Sequence, residues 1–308
     1  MYTMPLVSVV IPVFNQAAYI EETIQSVFTQ TYPNFELIIV DDASTDGTDK
    51  IIAEFTDDPK VSIYRNEKNL ECARTRNLGY SKASGIYCSN LDGDDTLEPE
   101  YLEKCVACLE KYPDAAFVYT RVNKMDSKGR KKPRLRDRIP HRQNHYGNEF
   151  ENIVRWLNHI PHPSTLVRKS CAMDVGLYDP NLTAGYDWEF MMRLTKKYPT
   201  FFINQHLYNI RIHKTNITKN RIRKGEREGI FFDLLDRVYQ MKELPERLLR
   251  EKDMIYARAY LDIAEGYREI GDYGKMRRFF KQALRRCKNP GLYLPYRRLV
   301  LSFAGLCG

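Results

Sequence analysis

Strand-like and helix-like patterns alternate along the first 123 residues. Residues 6–14 form a nearly continuous apolar, β-branched run, which is typical of a strand buried on both faces. Residues 17–30 then carry apolar side chains at helical spacing. The alternation continues to a fifth strand at residues 116–119. Strands separated by helices of this length predict βαβ units and an α/β fold with a mostly parallel sheet flanked by helices.

The remainder of the chain has a different character. Residues 124–142 contain nine lysines and arginines and no aromatic residue, which predicts a surface loop. Residues 150–157 and 187–194 favour helices, and residues 164–167 and 207–212 favour strands. From about residue 225 onward the pattern is helical, and residues 257–290 resemble a single tetratricopeptide-type helix pair. We therefore expect a C-terminal all-α region.

The charge distribution divides the chain near residue 120. Residues 1–120 carry 9 lysines and arginines against 20 acidic residues, whereas the rest carries 39 against 20. The acidic first part suits metal coordination. The basic second part suits phosphates, acidic substrates or an anionic surface. Sequence-tolerant binding of nucleic acid would require aromatics among the charges of residues 124–142, so no nucleic acid is expected.

Acidic residues follow two of the predicted strands directly. Asp41 and Asp42 end the second strand, and Asp92, Asp94 and Asp95 follow the fourth. Parallel strands place their carboxyl ends at one edge of a sheet, where ligands bind. Crowded carboxylates repel each other unless a cation or a hydrogen bond compensates them. A divalent cation bridging to a diphosphate is the natural partner, and a solvated acidic turn is the alternative.

These segments closely resemble the family-two glycosyltransferases of GT-A, Rossmann-like fold. The resemblance covers residues 5–215 in order and at the expected separations. It is carried by Val7-Ser-Val-Val-Ile-Pro-Val-Phe-Asn15, Glu36-Leu-Ile-Ile-Val-Asp-Asp-Ala-Ser-Thr-Asp-Gly-Thr48, Arg74-Thr-Arg-Asn-Leu-Gly79, Leu91-Asp-Gly-Asp-Asp-Thr-Leu97, Asp187-Trp-Glu-Phe-Met-Met-Arg193 and Tyr208-Asn-Ile-Arg-Ile-His213.

The resemblance implies a nucleotide-sugar site. Phe14 would supply a stacking face for the base, Asp42 would accept the uracil N3–H, and Pro12 lies in the same strand end. Asp92 would face the ribose or sugar, and Asp94 would hold Mg²⁺ or Mn²⁺ against the diphosphate. A UDP-sugar donor is therefore expected.

The resemblance also implies the catalytic base and further ligands. Asp187 matches the base of inverting transfer, with Glu189 as the runner-up. Arg211 and His213 match an Arg-x-His pair, in which the arginine would clamp the diphosphate and the histidine would ligate the metal. Two more candidates for holding the nucleotide are Arg74 and Arg76. His162 lies where the family shapes its acceptor side.

The sequence accordingly predicts an inverting, metal-dependent glycosyltransferase. It would transfer a sugar to a hydroxyl of a saccharide or lipid-linked acceptor in cell-surface glycan synthesis. We expect a transferase domain at residues 1–220, with a nucleotide-binding half (1–123) and an acceptor half (124–220), followed by a basic helical region (221–308). The alternatives are a nucleotidyltransferase on a similar scaffold and a non-catalytic helical scaffold protein.

Seven cysteines spread over the chain indicate reduced thiols, and no spanning segment or signal peptide is recognised. We expect a cytoplasmic protein, with peripheral membrane contact at the inner face through the basic C-terminal region. The single CxxC, Cys105 and Cys108, predicts two buried thiols because a second ligand pair was not found beside it.

Overall fold

The computed structural model describes residues 4–132, 139–213, 222–293 and 296–303. These residues form two compact units. The first comprises the described residues within Met1–Phe150 and His159–Ile212, and the second those within Glu151–Asn158 and His213–Gly308. The predicted boundary at residue 220 lies outside the described residues, as do residues 133–138 of the predicted basic loop.

The first unit contains a nine-stranded mixed sheet with the path β3-β2-β1-β4-β8-β6-β9-β5, and β7 pairs with β9. The strands are β1 (Val7–Val13), β2 (Phe35–Asp41), β3 (Val61–Arg65), β4 (Tyr87–Asn90), β5 (Thr96–Leu97), β6 (Phe117–Met125), β7 (His145–Gly147), β8 (Thr165–Arg168) and β9 (Thr200–Arg211). The helices are α1 (Ile20–Phe28), α2 (Thr48–Ala53), α3 (Glu71–Lys82), α4 (Tyr101–Lys111), α5 (Phe150–Arg155, shared with the second unit), α6 (Lys169–Asp174) and α7 (Tyr186–Lys197).

The half of the sheet from β3 to β4 is parallel, as the alternation predicts. β1 pairs in parallel with both β2 and β4, and β2 pairs in parallel with β3. Every residue of β1 is buried, which explains its unbroken apolar sequence. The predicted α/β fold with a flanked sheet is confirmed.

The other half of the sheet is not parallel throughout. β8 lies between β4 and β6 and is antiparallel to both. The long strand β9 pairs in parallel with β6 but is antiparallel to β5 and β7. The predicted strands at 116–119 and 207–212 therefore fall in the longer strands β6 and β9. The pairing of β6 with β9 joins segments that are about 80 residues apart in the chain.

The second unit is helical. It contains α8 (Glu226–Tyr239), α9 (Glu246–Arg250), α10 (Lys252–Glu269), α11 (Tyr273–Arg286) and α12 (Arg297–Phe303). Buried apolar residues of α10 and α11 share one cluster, and the Asp272 side chain caps α11 by accepting from the Lys275 N–H at 2.9 Å. The all-α region is confirmed, while the tetratricopeptide classification of this helix pair stays a prediction.

Candidate active site

The carboxyl ends of β1 and β2 bring Phe14 and Asp42 side by side. In the register of these strands Val13 pairs with Asp41, so Phe14 and Asp42 lie one residue further on. The Phe14 ring is 43% exposed, which is unusual for a phenylalanine beside so buried a strand. The exposed ring offers a flat apolar face at the edge of the sheet.

Asp42 is buried, and its oxygens differ in their contacts. Oδ1 accepts hydrogen bonds from Asn66 Nδ2 at 2.7 Å and from the Leu70 N–H at 2.8 Å. Within the described residues, no hydrogen bond to Oδ2 is found. Asp41 points elsewhere, since its carboxylate pairs with Arg65 at 2.7 Å.

Gly93 lets the acidic loop after β4 approach β1 closely. A Cβ at this position would lie 2.9 Å from Cγ2 of Val13, closer than a side chain tolerates. Asp92 and Asp94 flank this glycine. The backbone that carries these two carboxylates is therefore packed against the end of β1.

A buried arginine partners the first carboxylate of this loop. The Arg76 side chain is only 2% exposed, and its guanidinium forms an ion pair with Asp92 and donates to Asn90 Oδ1 at 3.2 Å. Burial raises the pKa of the Asp92 carboxyl, whereas the charge of Arg76 lowers it. The negative charges of Asp94 and Asp187 act in the same direction as burial.

Arg211 holds the same loop from the other side. Its Nε donates to the Asp94 carbonyl at 2.8 Å, and its Nη2 pairs with Glu22 at 2.6 Å. The backbone N–H of Arg211 and the hydroxyl of Tyr208 both donate to Asp95, at 2.8 and 3.0 Å. Arg211 therefore stabilises the acidic loop through these hydrogen bonds. Its role as a diphosphate ligand stays a prediction.

The acidic loop brings three carboxylates close enough to act on one another. Burial raises the pKa of Asp95 well above its usual range, and the carboxylates of Asp94 and Asp92 raise it further. Clustered carboxylate oxygens are the ligands that Mg²⁺ and Mn²⁺ prefer. The donor set therefore fits a divalent cation.

Helix α7 carries Asp187 to this cluster. Gly185 precedes the helix with φ of +71°, a left-handed conformation that favours glycine, and Asp187 lies in the first helical turn. The charge of Asp187 contributes to the raised pKa of Asp92, which places the two carboxylates in one electrostatic cluster. Burial raises the pKa of Tyr186 in the same helical turn, and the charge of Asp187 raises it further.

The runner-up base and Arg74 are engaged elsewhere. Glu189 pairs with Arg193 through two hydrogen bonds of 2.7 and 2.8 Å, and Arg193 donates to backbone carbonyls of residues 175–177. Glu189 therefore orients Arg193, which in turn stabilises the backbone of residues 175–177. The exposed Arg74 donates to the Pro180 carbonyl at 3.0 Å, so the structure does not bring it together with Arg76 at Asp92.

A buried polar network leads from Asn90 to His162. The Tyr178 hydroxyl donates to Asn90 Oδ1 at 3.2 Å and lies 2.8 Å from Nε2 of His162. Burial lowers the pKa of His162 well below its usual range, and the charge of Arg76 lowers it further. His162 is therefore a neutral hydrogen-bonding group. His213 is 8% exposed and belongs to the second unit, and its role as a metal ligand stays a prediction.

Two tyrosines of this site had no role in the sequence interpretation. Tyr208 lies inside a quoted motif and Tyr186 stands directly before one, but their neighbours along the chain do not indicate their contacts. Each acts through a partner about 100 residues distant, such as Tyr208 with Asp95. Only a three-dimensional arrangement reveals such pairs.

The sheet and the acidic loop at its carboxyl edge define a glycosyltransferase domain of GT-A fold. The model of the family described as "Glycosyl transferase family 2" matches residues 8–172, more than half of the chain. The chain belongs to glycosyl transferase family 2. It is therefore a glycosyltransferase, as the sequence motifs predict.

Similar proteins come from several bacteria. The chain is 28% identical over 242 residues to the putative teichuronic acid biosynthesis glycosyltransferase TuaG of Bacillus subtilis. The matched region covers 77% of this chain and 91% of TuaG. It is 30% identical to the uncharacterized glycosyltransferase RP339 of Rickettsia prowazekii, over 72% of this chain and 69% of RP339.

Solved structures share the fold at lower identity. S. aureus TarS 1-349 in complex with UDP-GlcNAc has a TM-score of 0.57 and 16% identity, over 89% of this chain and 90% of that one. Mannosyltransferase PcManGT from Pyrobaculum calidifontis, in complex with GDP-Man and Mn²⁺, has a TM-score of 0.61 and 19% identity, over 99% of this chain and 81% of that one.

Proposed function

We propose that this glycosyltransferase is an inverting, metal-dependent enzyme that transfers a sugar from a UDP-sugar to a hydroxyl of a cell-surface saccharide or lipid-linked acceptor. The observation that carries the proposal is the convergence of Asp187 with Asp92 and Asp94 beside Phe14 and Asp42. Phe14 and Asp42 follow neighbouring strands at one edge of the sheet. The charges of Asp94 and Asp187 both act on Asp92, so these three carboxylates form one electrostatic cluster.

The donor nucleotide would bind across the ends of β1 and β2. The exposed Phe14 ring stacks on the base, and Oδ2 of Asp42 accepts the uracil N3–H while Oδ1 stays bound to Asn66 and Leu70. Crystal structures of TarS with UDP and UDP-GlcNAc, on the same fold, support a uridine nucleotide. Because PcManGT was solved with GDP-Man, a guanine nucleotide is the competing donor to be tested.

Asp94 and Asp92 would hold the diphosphate end of the donor. Asp94 would be the metal ligand, with Asp92 fixed by Arg76 toward the ribose or sugar. When bound there, Mg²⁺ or Mn²⁺ neutralises the charge that develops on the departing diphosphate. The Mn²⁺ in the PcManGT structure, on the same fold, supports a divalent cation as the cofactor.

Asp187 would act as the general base. Its carboxylate takes the proton of the acceptor hydroxyl as that oxygen attacks the anomeric carbon from the side opposite the diphosphate. One carbon–oxygen bond forms, the bond to the diphosphate oxygen breaks, and the sugar inverts its configuration. Glu189 is the less suitable base because its carboxylate is already paired with Arg193.

The helical unit would contact an anionic surface that presents the acceptor. Helix α11 buries Met276, Phe279, Phe280 and Ala283 and has no acidic residue, whereas its exposed face carries lysines and arginines. Such a face suits lipid headgroups or a lipid-linked phosphate. Among the described residues, no helix is both long and apolar enough to span a bilayer.

The proposal is tested by incubating the protein with UDP-, GDP- and TDP-sugars, Mn²⁺ and an acceptor panel, and by identifying the released nucleotide. We expect UDP, whereas pyrophosphate would favour a nucleotidyltransferase. With the acceptor so found, Asp187→Asn should lower kcat by about 10²–10⁴-fold and leave UDP affinity nearly unchanged. The matched control, Glu189→Gln, should retain more turnover. Wild-type turnover in Asp187→Asn would refute the base assignment.

A further inference from the structure

Two loops at the carboxyl edge of the sheet are joined by a set of hydrogen bonds, which we call the clasp. The β1 loop, residues 14–17, follows β1 and begins with the exposed Phe14. The β2 loop, residues 42–48, follows β2 and begins with the buried Asp42. The two side chains proposed to bind the nucleotide base therefore stand at the first positions of the two clasped loops.

Asn15 contributes to the clasp through both its backbone and its side chain. Its N–H donates to Ser44 Oγ at 2.9 Å, and its Oδ1 accepts from the Thr45 N–H at 2.8 Å. In each bond, a backbone N–H of one loop is paired with a side-chain oxygen of the other loop. Asn15 therefore joins the two loops directly beside Phe14.

Gln16 and Ala17 extend the clasp toward the start of α2. The Gln16 N–H donates to Thr48 Oγ1 at 2.9 Å, and the Ala17 N–H donates to Asp46 Oδ2 at 3.0 Å. Burial acts to raise the pKa of Asp46, but hydrogen bonds from Thr48 and Ala17 outweigh it, so the pKa lies below its usual value. Asp46 is therefore ionised at neutral pH, and hydrogen bonds to an ionised acceptor are stronger than those between neutral groups.

The chain is strained in both loops, directly after each residue proposed to contact the base. Asn15 has a φ of +53° and Ala43 a φ of +64°, which are left-handed conformations that residues with a Cβ seldom adopt. Strained conformations of this kind persist only where the surrounding structure enforces them. The clasp provides this constraint at the points where the chain leaves β1 and β2.

We propose that Asn15 is a positioning residue for the donor nucleotide, which holds Phe14 and Asp42 in the arrangement that binds the base before the nucleotide arrives. This role rests on the proposed nucleotide site, and Asn15 acts in it without touching the nucleotide. A site that is formed in advance binds more tightly because no ordering of its loops opposes binding. The apparent Kd equals the intrinsic Kd divided by the fraction of molecules in the competent arrangement.

Titration calorimetry of the full-length protein with UDP and Mn²⁺ tests this role. Asn15→Gly permits the left-handed backbone but removes Oδ1, and it should raise the Kd about three- to tenfold for loss of one neutral hydrogen bond. Asn15→Asp keeps an oxygen that accepts from the Thr45 N–H, so it should retain the wild-type Kd to within about twofold.

A second variant and a control separate the clasp from Asn15 itself. Ser44→Ala removes the acceptor of the Asn15 N–H and leaves Asn15 unchanged, and it should also raise the Kd for UDP. Thr45→Ala is the matched control, because the N–H that Thr45 donates belongs to the backbone and stays in place. Its Kd should equal that of the wild-type protein.

Three results would overturn the proposal. If the wild-type protein binds UDP and both Asn15→Gly and Ser44→Ala bind it equally tightly, even with a lowered Tm, the clasp is only structural. If Asn15→Asp loses as much affinity as Asn15→Gly, the Asn15 amide group contacts the nucleotide itself. If the wild-type protein binds neither UDP nor GDP, the proposed nucleotide site fails and the positioning role fails with it.

Discussion

Replacing Arg76 by methionine should weaken nucleotide binding without direct loss of a nucleotide contact. Methionine fills much of the buried space of Arg76 but removes the positive charge beside Asp92. The pKa of Asp92 is already raised by burial and by the charges of Asp94 and Asp187. Without Arg76 it rises further, so more of the Asp92 carboxyl is protonated, and the loss of affinity should grow as the pH falls.

The size of this effect follows from the exposure of the two partners. The contact at stake is a hydrogen bond from the donor's ribose or sugar to the Asp92 carboxylate, and a hydrogen bond to a charged group contributes about 1.5–3 kcal/mol. Asp92 is 37% exposed, so solvent screens the pair and the lower end applies. About 1.5 kcal/mol corresponds to a roughly tenfold rise in the Kd of UDP with Mn²⁺.

A double-mutant cycle measured by calorimetry isolates the pair. Asp92→Asn should weaken UDP binding, and adding Arg76→Met to it should change the Kd little further. Lys82→Met, at an exposed position of the same helix, is the matched control and should leave the Kd unchanged. If Arg76→Met weakens binding equally with Asp92 and with Asn at position 92, the charge-pair explanation is wrong.

Two further predictions concern Asp42 and His162. Asp42→Asn can keep the Oδ1 hydrogen bonds to Asn66 and Leu70 but replaces Oδ2 by a hydrogen-bond donor, so the Tm should stay unchanged. The Kd for UDP should rise about tenfold, because one charge-assisted hydrogen bond is lost. An unchanged affinity for UDP would show that Asp42 does not bind the base. The folded-state pKa of His162 is lowered, so the unfolded chain binds a proton that the folded chain excludes, and stability should fall as the pH drops below about 6.5. Urea midpoints should show a flatter pH dependence in His162→Gln, and an equal slope would contradict this explanation.

The parallel half of the sheet was predictable because its pattern is local. A strand covered on both faces is apolar throughout, and β1 shows this in seven consecutive buried residues. β5 and β7 contain two and three residues, too few for any periodicity, and were not predicted. The pairing of β6 with β9 depends on packing between distant segments, which no local pattern encodes.

The site was predictable where residues follow strand ends and not where they meet by packing. Asp42, Asp92 and Asp94 could be proposed as neighbours because parallel strands end at a common edge. The buried pair Arg76–Asp92 joins a helix to a loop and is visible only in the structure. The sequence interpretation recognised no H-x-x-x-H pair to accompany the CxxC, which was wrong, because His141 and His145 form such a pair.

Titration calorimetry of UDP and GDP, with and without Mn²⁺, tests the central claim most directly. We predict that UDP binds in the presence of Mn²⁺, that GDP binds at least about tenfold more weakly, and that Asp94→Asn abolishes the dependence on Mn²⁺. Binding of UDP that is equally tight without metal, or no binding of either nucleotide to the wild-type protein, would contradict a metal-dependent UDP-sugar site at Phe14, Asp42 and Asp94.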